Sequence, residues 1–429
     1  MKERIAIIDG IRTPMCKAGG VFKDIQADQL GAWIVTELIA RSEIDPALID
    51  ELIMGNVGNP AHAMNIARVI ALKAGLPQDL PAFTVHRNCG SGNEALTTAA
   101  AKIQAGDGDI YIVGGTESMS SMPLLYGPRM TELFANLAKS KTLSQKLGVI
   151  SKFRPSFLKP VIGIVQGLTD PVCGLIMGKT AEFLAREFHI TREEQDRYAV
   201  ESHKKAAAAI ESGRLAEEIL PIPVPPRYKA VQEADDSPRD NQSMDALGKL
   251  RPYFDRHNGT VTVGNSCPLT DAAAAMLVMG ETKAKELGLT PIGFLRAYAY
   301  AGLEPHRMGL GPVYSTAKVL DRSGMTMSDI ELVELNEAFA AQAIANLRAF
   351  DSDEFAARYF GRHHKIGAID PDILNVNGGA IALGHPVGMT GARLVITTLK
   401  ELHRRNCNVG LATMCIGGGQ GGALLLEAA

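Results

Sequence analysis

From Ile5 to Gly115 short apolar runs alternate with amphipathic stretches, the rhythm of an α/β fold. Residues 5–8, 51–54, 82–85 and 110–114 read as buried strands, and residues 29–41, 65–74 and 94–104 as helices. A similar order returns after Pro291. Residues 292–299, 330–335, 373–376, 409–414 and 423–427 have strand character, and residues 315–321, 338–350 and 390–404 have helical spacing. A strand, a glycine-rich loop, a helix and a strand follow one another in both halves, which suggests an internal duplication. The middle breaks the rhythm. It carries helical patterns at 180–188 and 192–212, a proline-rich run 220–226 and a polar stretch 233–243, before residues 260–263 and 272–279 return to strand character. The expected division is 1–122 with 260–283 as one half, 123–259 as an inserted loop domain and 284–429 as the other half.

Length adds that a chain of 429 residues exceeds one ordinary core. With 46% hydrophobic and 21% charged residues the composition is that of a globular protein. A net charge of −3 argues against a dedicated nucleic-acid binder, which needs a basic field. The charge is uneven, however. Between Leu133 and Thr169 stand Lys139, Lys141, Lys146, Lys152, Arg154 and Lys159, with no acidic residue among them. Mixed with apolar residues such as Leu147, Val149 and Phe157, they would suit an anionic membrane surface or a partner enzyme. The six cysteines are scattered without a C-x-x-C pair, so neither a disulfide framework nor a metal site is expected. No signal-like core, transit-like segment or run of roughly eighteen apolar residues is seen, and a cytoplasmic location is the expectation.

Three glycine-rich loops carry the chemistry. Cys89, in His86-Arg-Asn-Cys89-Gly-Ser-Gly92, lies between a strand and a helix, where helix N–H groups favour a thiolate and bind an oxyanion. His385, in Gly384-His385-Pro386, sits on a loop of fixed shape, suited to take a thiol proton. Cys415 precedes a glycine run that fits a bare G-x-G-x-x-G pattern, but the next element, from Ala423, is strand-like. A dinucleotide site therefore fails its own context, and a tight turn with oxyanion-binding N–H groups is the better reading. Asn336, in Asn336-Glu-Ala-Phe339, reads either as a helix N-cap or as an amide holding a water at an oxyanion site. Two thiols and one imidazole suggest a reaction in which one sulfur is acylated and the other moves a proton.

Taken together, these four motifs resemble those of the thiolase family over essentially the whole chain, and 168–178 is similar to the insertion of its degradative, multienzyme-complex type. The resemblance implies two similar five-stranded halves in a duplicated α-β-α-β-α core, plus the loop domain. It implies an acetyl-CoA C-acyltransferase that cleaves 3-ketoacyl-CoA with CoA in a ping-pong cycle. Cys89 would be the nucleophile, His385 its base, Cys415 the acid/base at the α-carbon and Asn336 the holder of an oxyanion water. Backbone N–H groups of Cys89 and Gly417 would form a second oxyanion site. Met177, Arg227 and Ser266 would contact substrate, with Lys229 a further phosphate contact. CoA thioesters are then substrates, no cofactor or metal is implied, and a homodimer or homotetramer is expected, with a β-oxidation enzyme or a membrane as further partner through 133–169. A biosynthetic acetoacetyl-CoA thiolase is the near alternative, and a non-catalytic acyl-CoA or lipid carrier the remote one. The chain departs from the pattern at Asn336, where complex-forming relatives carry His, at Cys267-Pro268, where a small hydroxyl residue and glycine are common, and at Ile176, often His.

Overall fold

The computed structural model describes residues 3–429. In the first half, strands Ile5–Arg12, Thr270–Gly280 and Ile110–Ser118 pair antiparallel in that order. Glu51–Gly55 and then Ala82–Val85 continue the sheet in parallel. The second half repeats this plan. Gly293–Gly302, Gln420–Ala428 and Val409–Ile416 pair antiparallel, and Leu332–Leu335 extends them in parallel. Duplication is therefore present in strand pairing as well as in element order. The halves join where Ile5–Ile7 pairs with Gly293–Leu295, giving one ten-stranded sheet that includes the short strand Cys16–Lys17.

Both faces of this sheet are covered, which explains the unbroken apolar runs. Along Thr270–Gly280, Ala272, Ala274, Met276 and Val278 face the space between the halves. Ala273, Ala275, Leu277 and Met279 face outward, against helices Ala27–Ser42 and Ile66–Lys73. Helices Gly311–Ser323 and Ala340–Phe350 cover the other outer face through Val313, Val319 and Phe350. Helices Ser91–Ala105 and Thr390–Arg405 fill the centre. The result is five layers, α-β-α-β-α. The two central helices meet at glycines. A Cβ on Gly92 would lie 2.6 Å from Ala392 N, and one on Gly391 2.5 Å from Asn93 N. Each close approach needs a residue without a side chain, and together they bring the starts of the two helices side by side.

Two expected strands do not form. Residues 373–376 make a single parallel bridge, Leu374 to Val333, so the second half has four strands where five were expected. Asn375 then turns into the left-handed region (φ 43°), and its side chain takes the place of the ladder. Its Oδ1 accepts from Leu335 N at 2.8 Å, and its Nδ2 donates to Leu335 O at 2.9 Å. Residues 260–263 are irregular because side chains occupy their donors. The Glu182 carboxylate accepts from Thr260 N and Val261 N, and Asn265 Oδ1 from Thr262 N. Helices Pro128–Lys139 and Leu143–Ile150 form a hairpin, and the ribbon of Leu124–Tyr126 with Pro160–Ile162 closes its base. No helix among the described residues is long and apolar enough to cross a membrane.

Candidate active site

Cys89 stands just before helix Ser91–Ala105 and is half-buried. Its own N–H and that of Gly417 both favour the thiolate. Burial outweighs them and pushes the thiol pKa up. The expectation that the helix start would lower it is thus overturned, because desolvation of the sulfur is the larger effect.

His385 is buried at the start of the other central helix. Gly384 before it has φ +114°, and a Cβ there would lie 2.4 Å from the Thr270 side chain, so glycine is required. His385 N donates to Pro268 O at 3.1 Å, and Nδ1 lies 2.6 Å from Thr390 Oγ1, which fixes the ring. Nε2 is buried with no hydrogen-bond partner among the described residues. Burial, helped by the Arg393 charge, pushes the imidazole down to about 4, so it is neutral near pH 7.

Cys415 lies at the end of Val409–Ile416, which turns through Gly417–Gly419 into Gln420–Ala428. The turn is a hairpin, as the strand-like Ala423 implied. Cys415 is buried, and burial raises its pKa well above the ordinary thiol value, with smaller contributions from Cys89 and Cys267. Three thiols are thus within electrostatic reach of one another. Cys267 was not anticipated as the third, since nothing in its spacing places it beside Cys89. Burial, then the Cys89 charge, pushes it up to about 12.

Asn336 is no helix cap, since helix Ala340–Phe350 begins after Phe339. Its backbone N–H donates to Thr413 O, while its side-chain Oδ1 and Nδ2 are both buried without a partner among the described residues. The Cys267-Pro268 segment ties this loop to the histidine loop. Cys267 N donates to Ala338 O at 3.1 Å, and Pro268 O accepts from His385 N. Unmatched polar atoms on Asn336 and His385 thus lie on two loops joined by one segment, with bonding capacity left for a ligand.

The substrate-contact candidates divide. Met177 is close to the site, its Sδ 3.7 Å from where a Cβ on Gly417 would stand. Ser266 is buried and bonds Thr262 O at 2.6 Å. It lines a cavity of about 160 Å³ with Lys17, His203, Arg239 and Pro268. Burial, then the charges of Arg239 and Lys17, push His203 down to about 4, so its ring is neutral near pH 7 beside these two cations. Arg227 and Lys229 instead are exposed at the tip of the hairpin Ile222–Pro223/Val231–Gln232, outside that cavity. Sequence reading missed Lys17 and Arg239 because only folding brings them together. Among the described residues no group of three or more His, Cys, Asp or Glu is arranged to hold a metal ion.

The thiolase N-terminal domain model matches residues 5–282 and the thiolase C-terminal domain model residues 289–428. The chain belongs to the thiolase family. This thiolase is 44% identical over 426 residues to the 3-ketoacyl-CoA thiolase of Pectobacterium atrosepticum, covering 99% of this chain and 97% of the relative. It is 43% identical over 427 residues to that of Escherichia coli, with the same coverage. Among solved structures it is similar to the Bacillus anthracis acetyl-CoA acetyltransferase, at TM-score 0.88 and 34% identity, covering 100% of this chain and 99% of the other. It is also similar to human mitochondrial 3-ketoacyl-CoA thiolase in complex with CoA, at TM-score 0.86 and 32% identity, covering 100% and 98%. It is an acyltransferase.

Proposed function

We propose that this thiolase cleaves 3-ketoacyl-CoA with CoA, releasing acetyl-CoA and an acyl-CoA shortened by that unit. What supports the reading is the electrostatic coupling of Cys89 with the buried Cys415, together with a neutral buried His385 on a loop that Cys267-Pro268 ties to the loop of the unpartnered Asn336 amide. His385 takes the Cys89 proton, and the sulfur attacks the 3-keto carbon. The bond between the α-carbon and that carbon breaks, and the leaving acetyl-CoA carbanion takes the Cys415 proton. Free CoA, deprotonated at the same site, attacks the Cys89 thioester and regenerates the thiol. The N–H groups of Cys89 and Gly417 stabilise one oxyanion, and His385 with a water on Asn336 the other. The cationic cavity of Lys17 and Arg239, walled by Ser266 and Pro268, suits the phosphate-bearing end of CoA.

The half-buried strand Ala82–Val85 ends the sheet and pairs only with Glu51–Gly55 among the described residues. An open edge of this kind favours a second copy, so we place a homodimer contact there. The basic hairpin we assign to contact with an anionic lipid surface. Exposure to acetyl-CoA followed by peptide mass spectrometry tests the chemistry. Acetylation of Cys89, abolished in His385→Asn, is the expected result; acetyl on another side chain, or on none, overturns the scheme.

A further inference from the structure

Asn88 immediately precedes Cys89 and has no part in the scheme above. Two independent observations single it out. Its backbone is left-handed, with φ 46°, a region that residues other than glycine enter rarely. Its side-chain Nδ2 donates to Gly417 O at 2.8 Å, across 329 positions of sequence. Gly417 opens a run of three glycines in which Gly418 and Gly419 have φ of +88° and +77°. Such a turn has much conformational freedom, and a donor from outside restricts it. The backbone N–H of the same Gly417 favours the Cys89 thiolate. A glycine at 88 would adopt this backbone without strain, so what asparagine adds is the amide.

We propose that Asn88 is a positioning residue for acyl transfer, clamping Gly417 so that its N–H stays aimed at the Cys89 sulfur and at the oxyanion that forms beside it. The proposal rests on Cys89 as nucleophile and names what holds the second oxyanion donor in place. An N–H that wanders stabilises neither the thiolate nor the developing negative charge, because preorganisation is the source of the effect.

The test is Asn88→Gly, which keeps the backbone and deletes the bond, with Asn88→Asp as the second variant, which tolerates the same φ and loses the donor. Two rates are read by peptide mass spectrometry, both on Cys89. One is alkylation by iodoacetamide across pH, which needs no thioester; the other is single-turnover acetylation by acetyl-CoA. Both variants are expected to move the alkylation midpoint to higher pH and to slow acetylation by about tenfold to a hundredfold, with the apparent KM for acetyl-CoA little changed. A folded variant with the parent's alkylation profile and acetylation rate overturns the clamp. A shifted alkylation profile in a protein whose parent form takes no acetyl group supports the clamp and overturns the acyl-transfer reading.

Discussion

At the scale of single residues, burial sets the proton balance. Cys89 and Cys415 are held as thiols, and His385, pushed down to about 4, is held neutral. Moving a proton from thiol to imidazole is therefore uphill until substrate supplies an oxyanion for the donors to stabilise. The acid limb of activity follows from the sign of the imidazole shift. Lowering pH through the ordinary value of 6.5 does not protonate this ring, and activity is expected to hold until pH approaches about 4. The kcat/KM profile on a short 3-ketoacyl-CoA checks this, and an acid limb centred near the ordinary imidazole value would contradict a desolvated base. Cys89, His385, Cys415 and Asn336 stand out in sequence because each is framed by glycines, proline or an acidic neighbour. The direction of the Cys89 shift does not, because desolvation depends on what packs over the sulfur. Cys267 was also illegible as a third thiol, since its place follows from bonds to Ala338 and, through Pro268, to His385.

At the scale of elements, apolar runs gave the strands reliably wherever both sheet faces are covered, as in Thr270–Gly280. They misled at 373–376, where an asparagine side chain performs the work of a strand's backbone. Asn375 holds Leu335 by both peptide groups and donates to Glu337 Oε1 at 2.8 Å. Glu337 also accepts from Ser202 Oγ at 2.6 Å. Asn336, between Leu335 and Glu337, is thus held from both sides. Asn375→Ala leaves buried groups of Leu335 and Glu337 without this partner and puts alanine at positive φ. A loss of about 3 kcal/mol is expected, read as a lower urea midpoint with the m-value unchanged. Activity should fall more than stability alone explains, because the freed loop carries Asn336. A variant that loses stability but keeps kcat under folding conditions would remove Asn375 from any role in the site.

At the scale of the whole molecule, the net charge of −3 conceals one face of opposite character. Lys139, Lys141, Lys146, Lys152, Arg154 and Lys159 make no ion pair among the described residues. Among the described residues, half of the large exposed hydrophobic side chains lie between Leu124 and Val165, Phe134, Leu143, Leu147 and Ile150 among them. Between the hairpin helices opens a cavity of about 850 Å³, lined by Arg129, Leu133, Lys139, Val149, Lys152 and Phe157. The charge count was visible in the sequence, but its display on a helical hairpin was not, because short helices of mixed character give a weak periodic signal. Each cation near an anionic lipid surface contributes about 1 kcal/mol, and the exposed apolar groups add an attraction that salt does not screen. Changing Lys139, Lys146 and Lys152 together to Gln should therefore cost about 3 kcal/mol, or on the order of a hundredfold in partitioning onto phosphatidylglycerol vesicles. Added salt should weaken the parent toward the variant, since screening acts on the charges alone. Turnover on a soluble thioester should be unaffected, because these residues touch none of the three thiols' loops. Sedimentation with vesicles of phosphatidylglycerol and of phosphatidylcholine measures all of this. Failure of the parent to sediment with phosphatidylglycerol at low salt would sink the lipid assignment and leave a protein partner as the occupant of this face.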